Sequence, residues 1–177
     1  MTDNEIVDSS FSAIINAPIE TVDIPTWCFA LSEKEYQGCS PAHIAAGATT
    51  APDGRRMSIN VEMIGGSLSI QHYVETLGKP DHLVLESVSD ILTPTGRTTI
   101  NVLWELSVRP LDGARCEFTN HVRATATPAF REFLDRQGIP FDVFRAQRAP
   151  MSIAHNQGET PLFAQSIERA ALKNRSH

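Results

Sequence analysis

The stretch from Met57 to Thr125 decides the fold: MSINVEMI (57–64), SLSIQHYVETL (67–77), HLVLESVSDIL (82–92), TTINVLWELSV (98–108) and ARCEFTNHVRAT (114–125). Between these segments lie Gly65-Gly66, Gly78-Lys79-Pro80-Asp81, Pro94-Thr95-Gly96 and Pro110-Leu111-Asp112-Gly113. Each spacer carries its own turn chemistry. Glycine supplies positive φ, proline fixes its own φ, and aspartate bonds its own backbone. Turn signals recurring about every dozen residues between alternating segments mean an antiparallel meander, with Gly65-Gly66 as a two-residue hairpin.

Outward from the meander, SSFSAIIN (9–16) alternates Phe11, Ala13 and Ile15 with serines, which predicts a further strand. Residues 1–8 are expected to be a loose arm. Pro18 followed by Ile-Glu-Thr-Val predicts a helix start that Pro25 interrupts, then a second helical turn over 26–31. Ser32 ahead of Glu33-Lys34-Glu35 predicts a capped third piece, and 42–50 a short strand. After Thr127-Pro128 the period changes. AFREFLDRQ (129–137) places Phe130, Phe133 and Leu134 on one helical side. FDVFRAQR is another helical piece, and PLFAQSIERAALKN (161–174) a last helix, opened by Thr160 as N-cap and facing the sheet with Phe163, Ile167, Ala170 and Ala171.

Period 2 also assigns faces. Met57, Ile59, Val61 and Met63 are expected inward, as are Leu68, Ile70, His72 and Val74. So are Ile100, Val102, Trp104, Leu106 and Val108, and Cys116, Phe118, Asn120 and Val122. The segment 82–92 is ambiguous. Three polar groups then fall on the inner face: His72, Asn120 and the Trp104 indole. Each needs a partner, because an unsatisfied buried polar group costs about 1–3 kcal/mol. They either satisfy one another in a closed core or point into a hollow. Glu105, Asn101, Arg115, Glu117, His121 and Arg123 read as a solvated face with cross-strand charge pairs.

The 177 residues suit one domain, and the net charge of −6 is spread along the chain. No Lys/Arg block exists to hold a polyphosphate, which argues against nucleic acid as a partner. No apolar run reaches the ~20 residues of a membrane span, and the polar, acidic start is unlike a signal peptide, so a cytoplasmic protein without membrane insertion is expected. Cys28, Cys39 and Cys116 read as buried thiols. Phosphate-cradling glycine motifs, a nucleophile elbow and zinc motifs are absent, and the six histidines show no metal-ligand spacing. No cofactor and no metal are therefore expected. The carboxylates Glu62, Glu75, Glu86 and Glu105 fall mainly on faces expected to be solvated. His72, if desolvated inside an apolar hollow, is the one acid/base candidate.

The order strand, short helices, long meander, C-terminal helix, with Ile14-Ile15-Asn16-Ala17-Pro18-Ile19-Glu20-Thr21-Val22 at its entry, resembles the SRPBCC superfamily of START and pollen-allergen-like helix-grip domains. Its polyketide cyclase/dehydratase-like bacterial branch is the most similar, and His155-Asn156 with Glu159-Thr160-Pro161-Leu162-Phe163-Ala164 resembles a tail of uncharacterised members. The resemblance covers nearly the whole chain. It implies an α+β helix-grip fold, a curved antiparallel sheet of about seven strands around a C-terminal helix, with an apolar cavity between them. It also implies a small hydrophobic or aromatic ligand: a lipid, sterol or polyketide-like molecule. The expected lining is Ile70, His72, Val102, Trp104, Phe118, Asn120 and Phe163. Two alternatives stand beside this binding role: a cyclase or dehydratase using His72, and a closed-core interaction domain, with a homodimer left open. Pro140, Pro150 and Pro161 are expected to break the C-terminal helix and to make a flexible lid of 139–158. A cystatin-like cone is disfavoured, since the longest helical region here comes last.

Overall fold

A computed structural model describes residues 3–174. Strand β1 (Glu5–Ile15) is followed by a 3₁₀ turn at Ile19–Thr21 and by helices α1 (Ile24–Ala30) and α2 (Glu33–Gln37). Strands β2 (His43–Thr50), β3 (Arg56–Ile64), β4 (Ser67–Lys79), β5 (His82–Thr93), β6 (Gly96–Pro110) and β7 (Cys116–Ala126) come next. Helices α3 (Pro128–Arg136) and α4 (Phe141–Asn174) end the chain. The seven strands form one sheet in the order β1-β7-β6-β5-β4-β3-β2, and all six pairings are antiparallel. Consecutive strands of the meander are neighbours, as their short turns require. The first strand closes the other edge by pairing with the last. This is the expected helix-grip α+β fold: the sheet curls about α4, and the core fills the space between them.

The core is built where the alternation is strongest. Leu83 and Leu85 of β5, Leu106 of β6, Phe118 of β7 and Ile15 of β1 are fully buried beneath Phe163 and Ile167 of α4. Trp27 of α1 anchors that end, its Nε1 donating to Ser166 Oγ at 2.7 Å. On α3, Phe130, Phe133 and Leu134 are buried together as their spacing predicts.

Several local expectations are corrected. Glu5–Asp8 belong to β1 rather than to a loose arm, and Asn4 before them accepts from Ala126 N at 2.8 Å and from Arg131; Met1 and Thr2 lie outside the described residues. Pro25 does not interrupt a helix. It occupies the first turn of α1, where its missing N–H costs nothing, behind Asp23, whose carboxylate accepts from Thr26 N at 2.9 Å. Ser32 caps α2 as expected, accepting from Glu35 N.

The larger correction is α4, a single helix of 34 residues that runs through Pro150 and Pro161. Segment 141–158 is therefore helix rather than an irregular lid. A proline has no N–H to donate to the carbonyl four residues back, and its ring crowds that carbonyl. Here the deeply buried face around Asn156, Thr160, Phe163 and Ile167 holds the helix to the sheet across both interruptions. Thr160 is not an N-cap: its hydroxyl donates to Asn156 O at 2.6 Å within the helix.

The faces of β3 and β4 are also opposite to those expected. Ser58, Asn60 and Glu62 of β3 and Ser69, Gln71 and Tyr73 of β4 are buried against the interior. Met57, Ile59, Val61, Ile70, His72 and Val74 lie half-buried on the outer face, with Met63 more exposed, and Ile59 pairs with His72 and Val61 with Ile70. Alternation defines two faces but not which of them is inside. Pairing outward from β5, whose Leu83 and Leu85 point in, settles that choice.

Candidate functional site

The inversion puts polar side chains on the inner wall of the sheet beneath α4, and a cavity of about 80 Å³ lies there. One side is apolar: Ile6 and Val7 of β1, Ile100, Val102 and Trp104 of β6, Val122 and Ala124 of β7, and Phe163 of α4. The other side is polar: Asn60, Glu62, Ser69 and Gln71 from the sheet face Arg148, Ser152, His155, Asn156 and Glu159 from α4. Arg148, Ser152, His155 and Glu159 recur at steps of three or four, which is one helical face, and Asn156 flanks it.

Glu159 is the hub. Its Oε1 accepts from Asn120 Nδ2 at 3.1 Å, and Asn120 Oδ1 in turn accepts from Trp104 Nε1 at 2.9 Å. Its Oε2 lies 3.0 Å from His43 Nε2 and 3.1 Å from His155 Nε2. His43 Nδ1 donates to the Tyr36 carbonyl at 2.7 Å, and Tyr36 Oη donates to Glu62 Oε1 at 2.6 Å. Glu62 Oε2 is 3.6 Å from His155 Nε2, and Ser40 Oγ is 3.3 Å from His155 Nδ1. The Tyr36 and His43 rings stack at 3.8 Å, which fixes the plane of the imidazole. At the β3–β4 hairpin, Arg148 of α4 donates to Ile64 O.

Charge follows from this geometry. Burial alone would raise the Glu159 pKa, but His155 and His43 outweigh it and hold the carboxyl below its ordinary range. Burial alone would lower His155, but the Glu159 and Glu62 carboxylates outweigh it and raise it. Burial, reinforced by Glu62, pushes the Tyr36 phenol well up, so it remains a donor at neutral pH. Burial lowers Arg148, opposed by Glu62. The cavity wall thus carries two carboxylates, one imidazole and one guanidinium, with the His43 imidazole behind Glu159.

Of the residues expected to line a cavity, Val102, Trp104 and Phe163 do so. Asn120 stands one hydrogen bond behind the wall, joining Trp104 to Glu159. Phe118 is fully buried in the core and does not line it. Ile70 and His72 are on the opposite face of the sheet, where His72 borders a depression with Val74, Val88, Asn101 and Arg123. His72 is therefore no acid/base for anything in this cavity. Glu62, expected on a solvated face, is buried. The sequence reading missed His43, Gln71, Arg148, His155 and Glu159. The signal available was His155-x-x-x-Glu159, an i, i+4 pair on one helical face, and the polar stripe Arg148, Ser152, His155, Glu159 in phase with Phe163.

No family model matches the chain, and no curated protein matches it. Solved structures do match. An aromatase/cyclase, Zhui from Streptomyces sp. R1128, superposes with a TM-score of 0.63 at 11% identity, over 96% of this chain and 95% of that one. A START superfamily protein from Mycobacterium smegmatis gives 0.53 at 12% identity, over 94% and 97%. The di-domain aromatase/cyclase StfQ of the steffimycin biosynthetic pathway gives 0.57 at 12%, over 97% of this chain and 54% of that one. The chain thus shares the helix-grip fold of these structures. At these identities the likeness is one of fold. Among the described residues no helix is long and apolar enough to cross a membrane.

Proposed function

We propose that the cavity binds a small aromatic molecule bearing hydroxyl groups. The observation that carries this is Gln71 Oε1, a buried acceptor without a partner on the cavity wall. Such an atom costs about 1–3 kcal/mol unless a bound donor meets it. The apolar side offers Trp104 and Phe163, 5.9 Å apart, to a ring. A phenolic ring matches a half-polar, half-aromatic pocket better than an alkyl chain does. At about 80 Å³ the cavity is smaller than the engineered cavity of about 150 Å³ that holds benzene, so a single ring requires its walls to open modestly. A lipid or a sterol fits only with a large displacement of α4. The helix-grip fold and its aromatase/cyclase neighbours are consistent with a cyclic, oxygenated ligand. Any reaction on the bound molecule would use the polar side, Glu62, His155 and Glu159, because His72 faces away.

The test is a thermal-shift panel of hydroxylated mono- and bicyclic aromatics against fatty acids and sterols. A ligand at 100 times its Kd contributes about 2.7 kcal/mol, which is roughly 5–10 °C for a chain of this size. The expected result is a shift of that size for phenolic compounds only, with Gln71→Leu cutting affinity about tenfold. Tight binding of sterols or fatty acids with no phenolic response overturns the reading.

A further inference from the structure

We infer that His43 Nε2, His155 Nε2 and Glu159 Oε2 form a site for one divalent cation of the zinc class, with a fourth position reached by Glu62 Oε2 or by a molecule in the cavity. The three residues bring their ligand atoms within 4.8 Å of one another.

The Tyr36 carbonyl can only accept, so the 2.7 Å contact places a proton on His43 Nδ1. The other ring nitrogen, Nε2, lies 3.0 Å from Glu159 Oε2. His155 Nε2 lies 3.1 Å from the same oxygen, yet it is buried and aligned with no hydrogen-bond partner. One carboxylate oxygen therefore serves two imidazole nitrogens, and a shared metal ion satisfies all three at once.

The distances agree. A tetrahedral ion bound at about 2.1 Å separates its donors by about 3.4 Å. Two of the triad's three separations are 3.0 and 3.1 Å, the third, between the two imidazole nitrogens, is within 4.8 Å, and His155 Nε2 lies 3.6 Å from Glu62 Oε2. The outer partners are also in place. A metal-bound histidine usually gives its other N–H to a carbonyl or carboxylate, as His43 does to Tyr36. Asn120 fixes the second oxygen of Glu159, Tyr36 Oη fixes that of Glu62, and Ser40 Oγ stands beside His155 Nδ1. Two ligands come from one face of α4 and one from the start of β2, so helix and sheet hold the site from opposite sides. Two nitrogens, one or two carboxylates and no thiolate suit zinc or its neighbours; the nearby Cys39 thiol is used by the Glu35 carbonyl.

This inference does not depend on the organic ligand, and its test is run without one. The full chain is stripped with chelator, loaded with zinc chloride or cobalt chloride, desalted and assayed for bound metal. The expected result is one retained equivalent, a visible tetrahedral cobalt spectrum, and a higher melting temperature with zinc. His155→Gln, whose fold is verified by circular dichroism, should lose the cobalt spectrum and weaken zinc by about 100-fold or more, beyond the 10–100-fold that loss of an outer partner costs. Glu159→Gln should behave alike, and His121→Gln, outside the site, should retain the ion. Wild-type protein retaining less than a tenth of an equivalent overturns the inference. So does a folded His155→Gln that holds zinc as the wild type does.

Discussion

Replacing Asn120 by alanine tests whether the buried polar chain organises the interior. Asn120 is fully buried, accepts from Trp104 Nε1 at 2.9 Å and donates to Glu159 Oε1 at 3.1 Å. Truncation strands a neutral indole N–H, at about 1–3 kcal/mol, and removes a bond to a charged acceptor, at about 1.5–3 kcal/mol. The two costs are coupled, so a total of about 3–5 kcal/mol is expected. Domains of ordinary stability hold only about 5–15 kcal/mol, so this is a large fraction. It corresponds to a fall in Tm of roughly 6–20 °C. Urea unfolding followed by tryptophan fluorescence gives the number directly. A cycle with Trp104→Phe then isolates the pair, with a coupling of about 0.5–3 kcal/mol expected for residues in one network. A loss below about 1 kcal/mol, or a coupling near zero, would refute the claim that these groups are satisfied by one another.

Two further predictions concern protons. On the outer face, burial opposes a charge on His121, but Glu105 at 3.1 Å and Asp8 at 2.8 Å outweigh it and raise its pKa. A raised folded value means the contribution is fully present below the unfolded pKa of about 6.5 and is lost as pH rises through the folded value. The urea midpoint should therefore decline across that window in the wild type and less steeply in His121→Gln; parallel curves would remove His121 from the account. Inside, burial pushes the Cys28 thiol up to about 12 and Cys39 to about 11, and it also raises Cys116. Because only the thiolate reacts, no cysteine should react promptly with Ellman's reagent at pH 8 in native protein, and all three should react in denaturant. A fast native equivalent would contradict the packing.

What the sequence disclosed follows from where its signals were one-sided. Strands β6 and β7 carry charges on one face and bulky apolar groups on the other, so Val102, Trp104 and Asn120 were placed correctly. Strands β3 and β4 carry mixed residues on both faces. There the apolar row looks like an interior, and the row of serine, asparagine, glutamine and glutamate looks like a surface. The polar row is inside because it borders the cavity, which is a tertiary fact. The prolines of α4 misled in the same way: local rules end a helix that packing carries through. The His43–Glu159 contact joins residues 116 positions apart, and no local spacing could announce it. Only His155 and Glu159, one helical turn apart, were within reach of a pattern.

The β3–β4 hairpin carries a consequence for folding fidelity. Its turn is Gly65-Gly66, with φ of 56° and 77°, and Ile64 pairs directly with Ser67. Two successive positive φ values are those of the turn that fits the twist of a tight hairpin, and they favour glycine. Elsewhere in a sheet hydrophobic burial selects the register, but here it selects the wrong one. With the two faces exchanged, Met57, Ile59, Val61, Ile70 and Val74 would turn toward the core and the polar row toward water, an arrangement that burial alone would favour. The register of β4 on β5, with its irregularity between Glu75 and Leu77, holds the arm against that alternative, and the glycine turn then locks β3 to β4. One residue added at that turn would slip β3 by one against β4, turning Met57, Ile59 and Val61 inward and Glu62 outward while β4 keeps its faces: the same strands, with one half of the polar wall made apolar.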